Sequence, residues 1–294
     1  MPWPAKFVPV LLALGTLPAS AQLIPIRTVP VFQSHQFDLF PSLTMAMGRV
    51  SFAIDDSLLD PFTNPAKGSR IRTTRVFSSP GVYRVAEDAG AGRTLPFGAL
   101  VKSGSWYGGL AVAAQGLDLG QRFGFETSIS CPACASRGLD PWTADRRHGN
   151  KYAFALLGRT IPKAGISIGA SVFWAGLNAI QGVDQLYSGS WRINQNGHAV
   201  DLRLAALKQW SDHRALTALV VHNRFGTTHD VLYLDPIWDP GTQAFSRRAR
   251  IEENVERSRT WGLHLEYVHP IRAPGWRLGW IATTNLVSHP RFRR

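Results

Sequence analysis

Several things are scarce in this sequence. Cysteine occurs twice in 294 residues, as Cys131 and Cys134. Two thiolates do not complete a metal site; two more ligands would be needed, and His148 is a lone, distant candidate. Acidic residues number 20 against 32 lysines and arginines, giving a formal net charge of +12. That balance favours anionic headgroups, anionic solutes or nucleic acid. Charged residues together make up only 18%. P-loop, GxGxxG and HExxH patterns are absent, which removes the main nucleotide-binding and zinc-protease chemistries. Beyond residue 21, no apolar stretch approaches the roughly 20 residues of a membrane helix. The longest is Ala215–Val221.

The first residues form an export signal. Lys6 supplies a positive start, Phe7–Leu17 an apolar centre, and Ala19-Ser20-Ala21 a small-residue cleavage site. Residues 1–21 are therefore assigned as a signal peptide. Export makes nucleic acid the least suitable anionic partner. No lipobox cysteine follows, so the sequence points to periplasm, outer membrane or medium.

Glycine (27) and tryptophan (10) are frequent, and period-two alternation is the strongest pattern. Trp261, Leu263, Leu265 and Tyr267 share one face against Gly262, His264 and Glu266. Ile166, Ile168, Ala170, Val172 and Trp174 oppose Ser167, Gly169 and Ser171. Such segments read as half-buried strands. Several run past ten residues, near the 9–11 that a tilted strand needs to cross a bilayer.

The spacing predicts strands at 71–86 (broken at Pro80), 95–103, 105–117, 150–160, 164–176, 186–194, 198–210, 214–224, 228–236, 258–269 and 275–287. Tight turns are expected at Gly104, Pro162–Gly165, Gln195-Asn196-Gly197, Gly226-Thr227 and Pro270–Pro274. Asn196-Gly197 carries a type I′ hairpin signal. Longer links fall at 118–149, 177–185 and 237–257, with 211–213 out of step. Short turns on one rim and long loops on the other describe an antiparallel transmembrane β-barrel of the outer membrane. Trp174, Trp210 and Trp261 are expected at the outer ends of strands, and Trp106, Trp276 and Trp280 near the inner rim, as interfacial aromatics. An odd count of eleven strands, with no closing aromatic strand at 289–294, leads to the expectation that barrel closure is missing from this chain.

Residues 46–66, AMGRVSFAIDDSLLDPFTNPA, resemble the N-terminal segment of FadL/PorV-like outer-membrane proteins. Gly48, Asp55, Asp56 and Asn64-Pro65-Ala66 carry the likeness. Lys67-Gly68 then departs from the usual glycine and leucine, and Arg49 and Pro61 are less typical. The resemblance implies a small N-terminal plug (22–70) inside the barrel (71–294). The residues themselves permit it: Asp56 or Ser57 can cap a one-turn helix over Ser57–Leu59, and Pro61 and Pro65 stop it. The acids would pair with Arg70, Arg72, Arg75 or Arg203. The resemblance also implies transport of a hydrophobic small molecule such as a fatty acid. A barrel holding exported proteins and an anion-favouring pore are the other readings.

Cys131-Pro-Ala-Cys134 in an oxidising compartment favours a local disulfide; free thiols, or metal or redox chemistry, stay open. Arg247, Arg248 and Arg250, in the expected loop 237–257, are candidates for lipopolysaccharide phosphates as partners. No spacing singles out a catalytic pair among His198, His222, His229 and His264, so no enzyme activity and no cofactor are expected.

Mass spectrometry of the protein exported by a bacterium with an outer membrane should find Gln22 at its N-terminus. A mature chain that keeps Lys6 would overturn the signal assignment.

Overall fold

The computed structural model describes residues 39–43, 56–84, 91–118, 147–180, 183, 187, 190–271 and 276–288. Among the described residues ten strands form one antiparallel sheet. They are β1 (Arg75–Ser78), β2 (Gly81–Arg84), β3 (Ala91–Ser103), β4 (Trp106–Asp118) and β5 (Arg147–Ile161), followed by β6 (Ile166–Leu177), β7 (Arg192–Gln209), β8 (Ala215–Asp239), β9 (Ala244–Pro270) and β10 (Arg277–Ser288). From β3 onward each strand pairs with the next in sequence. β1 and β2 lie end to end along β3, opposite Phe97–Leu100 and Ala91–Thr94. The break between them falls at Ser79-Pro80, where proline cannot donate to a ladder. Among the described residues β10 pairs with β9 alone, and no strand pairing closes the sheet into a barrel.

Alternation holds along the strands and gives the sheet a covered face and an open face. On β4, Tyr107, Gly109, Ala111, Ala113, Gln115 and Leu117 are buried, while Trp106, Leu110, Val112 and Ala114 are exposed. The covered face mixes Phe154 and Leu156 with Thr94, Gln115, Asn150, Ser167, Ser171 and Thr217. The open face is apolar: Leu95, Phe97, Leu110, Val112, Leu157, Val172, Leu204 and Leu263 are all exposed. A soluble sheet places its apolar side chains the other way round.

The structure corrects several expected turns. Asn196-Gly197 and Gly226-Thr227 make none. They face each other across one ladder, with Gly197 opposite Thr227 and His198 opposite Gly226. A type I′ turn needs positive φ, and the glycines that adopt it are Gly104 and Gly165. Gly197 instead meets a tight approach, since a Cβ there would sit 2.7 Å from the Gly226 carbonyl oxygen. The expected strand 198–210 is thus continuous with the end of the one expected at 186–194, in β7 from Arg192, and 214–224 is continuous with 228–236. The expected strand 71–86 is in turn divided at Pro80 into β1 and β2. The region 237–257 is not a loop either: β8 and β9 run 25 and 27 residues to a turn at 240–243. His213 and Gln243 supply positive φ at the turns around 211–213 and 240–243.

With these changes the rims sort without exception. One end carries the connections at 104–105, 162–165, 210–214 and 271–276; the other carries 85–90, 119–146, 178–191 and the β8–β9 ribbon. The segment 211–213 belongs to the short-turn rim. Trp210 therefore lies at that rim, beside Trp106 and Trp276, and not with Trp174 and Trp261.

Candidate functional site

The covered face is filled by the N-terminal segment. Asp56 organises it. Its carboxylate is fully buried and accepts from the Ser42 hydroxyl at 2.7 Å, the Leu43 N–H at 2.8 Å, and the Leu58 and Leu59 N–H groups at 3.0 Å each. One carboxylate thus joins residues 42–43 to a turn at 57–59 as a capping group. Burial opposes its charge, but the Ser42 hydroxyl and the Leu59, Leu58 and Leu43 N–H groups outweigh that and hold its pKa below the usual carboxylate range.

A short helix α1 (Asp60–Thr63) follows, with Pro61 in its first turn. Pro61 therefore starts a helix where it was expected to stop one, since proline suits the first helical position. Asn64 is extended, at φ −138° and ψ 107°, as a residue before proline tends to be. Its side chain accepts from the Ala66 N–H at 3.0 Å, and Pro65–Arg70 continues as a 3₁₀ helix.

The Asn-Pro-Ala bend packs directly on the sheet. A Cβ on Gly169 of β6 would lie 2.4 Å from the Pro65 carbonyl oxygen, so only glycine permits this approach. Tyr107 of β4 donates its hydroxyl to the Ile168 carbonyl at 2.9 Å. Phe62 stacks on Phe40 at 4.2 Å and reaches Phe154 at 5.0 Å and Phe77 at 5.5 Å.

Charge fixes the segment as well. Lys67 pairs with Glu266 of β9 at 3.1 Å, with both side chains almost buried. Arg70 pairs with Asp60 at 3.3 Å. Arg203 of β7 donates to the Thr63 carbonyl at 2.6 Å and is held by Asp201 at 2.7 Å. It thus binds segment backbone where pairing with a segment acid was expected.

Below this contact, towards the short-turn rim, a cavity of about 970 Å³ opens between the segment and β3, β8 and β9. Lys67, Arg70, Arg72, Arg75, Lys102, His213, Arg214 and Arg277 line it, against the acids Asp60 and Glu266. Ile71, Leu100, Trp210 and Val268 add apolar surface. Arg72 and Arg75 line this space, and among the described residues neither pairs with an acid of the segment. Among the described residues no three His, Cys, Asp or Glu groups gather to hold a metal.

A buried polar cluster near the opposite rim has no short motif to announce it. Asn150 accepts from the Asn178 and Ala179 N–H groups at 2.8 and 3.1 Å and donates to Gln115 at 3.0 Å. Tyr152 donates to the same Gln115 oxygen at 2.7 Å. The available signal was a polar residue at three neighbouring covered-face positions of one level, Thr94, Gln115 and Asn150.

Gly48, Asp55, Cys131 and Cys134 lie outside the described residues. Arg247, Arg248 and Arg250 fall on β9, in the ribbon. Arg250 bonds Asp235 at 2.8 Å, pairs with Glu252 and covers Tyr233, so it is engaged within the ribbon. The four candidate histidines do not converge: His222 stacks on Trp261 on the open face, and His264 meets Thr283 on the covered face. No protein-family profile, curated protein or solved structure matches the chain.

Glu266→Gln should leave Lys67 buried without a counter-charge and cost about 3–5 kcal/mol. Limited proteolysis should then cut residues 56–70 faster, and the swap Lys67→Glu with Glu266→Lys should recover most of the protection. Equal cutting in all three proteins would remove the pair from the anchoring account. Because its folded pKa is depressed, Asp56 contributes fully above about pH 4, and that contribution is lost as pH falls through its folded value. Asp56→Asn should cost about 1–3 kcal/mol at pH 7, with the difference from the parent shrinking in acid denaturation below pH 4.

Proposed function

We propose that this chain is an outer-membrane β-barrel protein whose plugged interior passes a hydrophobic small molecule bearing an acid group, such as a fatty acid. The observation that carries the membrane part is the open face. Its apolar side chains repeat at every second residue from Leu95 to Val101, from Ile166 to Trp174 and from Trp261 to Tyr267, while the covered face between them mixes polar, small and apolar residues. Lipid is the solvent that such a face suits. From β3 to β9 each strand pairs on both sides, as backbone in lipid requires. The likeness of residues 46–66 to FadL/PorV-like proteins fits the same reading, with the covering segment as the plug.

The cavity supports the solute class. Its cations exceed its acids, and Ile71, Leu100 and Val268 sit among them. A carboxylate with an apolar tail meets both chemistries. A simple anion pore fits less well, because Phe40, Phe62 and Phe154 pack the interior above the cavity.

A second reading, a barrel that holds exported proteins, draws on the β8–β9 ribbon. Past Leu232 the ribbon loses β7 as a neighbour, and Ile237, Trp238 and Phe245 are exposed near its tip.

Uptake of a fluorescent fatty acid in a deletion strain tests the transport reading. Complementation by the parent, with several-fold slower uptake for Arg72→Gln/Arg75→Gln, is the expected result. Unchanged uptake with loss of a surface-held protein would favour the ribbon reading. In lipid vesicles, Leu204→Arg in the apolar run should cost about 2–4 kcal/mol, and Asn194→Arg beyond it should be near neutral. Equal costs would sink the membrane assignment.

A further inference from the structure

Where the apolar run ends towards the long-loop rim, the next open-face side chain is basic on four strands, β3, β5, β8 and β9, while β4, β6 and β7 place Gly116, Gly176 and His198 there. On β3 Leu95 gives way to Arg93, and on β5 Ala153 gives way to Lys151. On β8 His222 is followed by Arg224, and on β9 Trp261 is preceded by Arg259 and Arg257. All five cations are exposed, and none is in an ion pair among the described residues. The cations at the other end of the run are engaged: Arg159 lies over Trp106 and Lys208 over Trp210.

Two further features mark this level. Arg224 and Arg259 are direct cross-strand partners, an arrangement that like charges disfavour unless an anion sits between them. Immediately before them, His222 stacks on Trp261 with ring centroids 4.1 Å apart. Trp174, opposite Ala153, likewise stands one open-face step before the level of Lys151. Aromatic rings with polar edges followed by cations are the order expected from hydrocarbon to headgroup.

We propose that this row is a binding belt for the phosphate headgroups of outer-leaflet lipid, and that Arg224, Arg257 and Arg259 together hold one phosphate. The proposal rests on the reading that the sheet spans a membrane. Guanidinium groups bind phosphate oxygens in bidentate fashion, and a dianionic phosphate relieves the Arg224–Arg259 repulsion. The belt differs from the arginines that the sequence offered for this role: Arg250 is occupied by Asp235 and Glu252.

The full-length protein is reconstituted in phosphatidylcholine vesicles containing lipid A or its dephosphorylated counterpart. Retained lipid is measured by native mass spectrometry, and insertion by protease protection of the strands. The parent should retain lipid A at least about tenfold more tightly than the dephosphorylated form. Arg224→Gln/Arg259→Gln should abolish that preference, Arg224→Lys/Arg259→Lys should keep part of it, and Arg248→Gln should leave it intact. Insertion with no phosphate preference, or the same preference in the Gln variant, overturns the belt while the membrane reading stands. Competition by inorganic phosphate at equal strength overturns it too, by making the site one for soluble anions. Failure to insert in any vesicle removes both readings.

Discussion

Strand register is the constraint on which everything else here depends. Side chains alternate with period two, so a slip of one residue would exchange the faces of a strand. Such a slip on β4 would send Tyr107 and Gln115 to the open face and bring Trp106 and Leu110 under the covering segment. Tyr107 is then lost from the space left by Gly68 and Gly158, where an added Cβ would come within 2.6 Å of its ring. The glycines on the covered face are thus part of the register: they leave room for one large ring and for the Pro65 backbone.

The covering segment meets the second demand, that a half-polar face be filled without stranding its polar groups. It does so with two kinds of contact. Phe40 and Phe62 bury apolar area against Phe154, which is non-directional. Asp56, Asn64 and Lys67 are directional, and each satisfies a specific partner that burial would otherwise make costly. A buried ion pair such as Lys67–Glu266 adds little net stability but penalises any displacement that separates it. That combination favours one seated position for the segment.

The two rims do different work. At the short-turn rim, Arg159, Lys208 and Arg214 are each placed over a tryptophan ring, and the basic cavity opens beside them. At the other rim the strands outrun the apolar band, and β8 and β9 continue as a two-stranded ribbon with paired charges such as Arg250–Asp235. Sequence reading took the length of 237–257 for a loop because its arginines and glutamates hide the alternation. Exposed on both sides of a ribbon, neither face needs to be apolar, so the period-two signal disappears while the ladder persists.

The sequence by itself determined the strand class, the open-face apolar positions, the break at Pro80 and the extended Asn64, because each follows from local sterics or from a two-residue period. Only the tertiary structure decided which glycines turn. Asn196-Gly197 has hairpin chemistry, yet its neighbours find a continuous partner in β8, and ladder bonds across the whole length outweigh a local preference. Conversely, His213 accepts positive φ in a turn with no glycine to signal it, and at 240–243 the residue that accepts it is Gln243, not Gly241. The cavity, the Lys67–Glu266 pair and the facing arginines on β8 and β9 were equally illegible. They join residues far apart in the chain, and only the register brings them into contact.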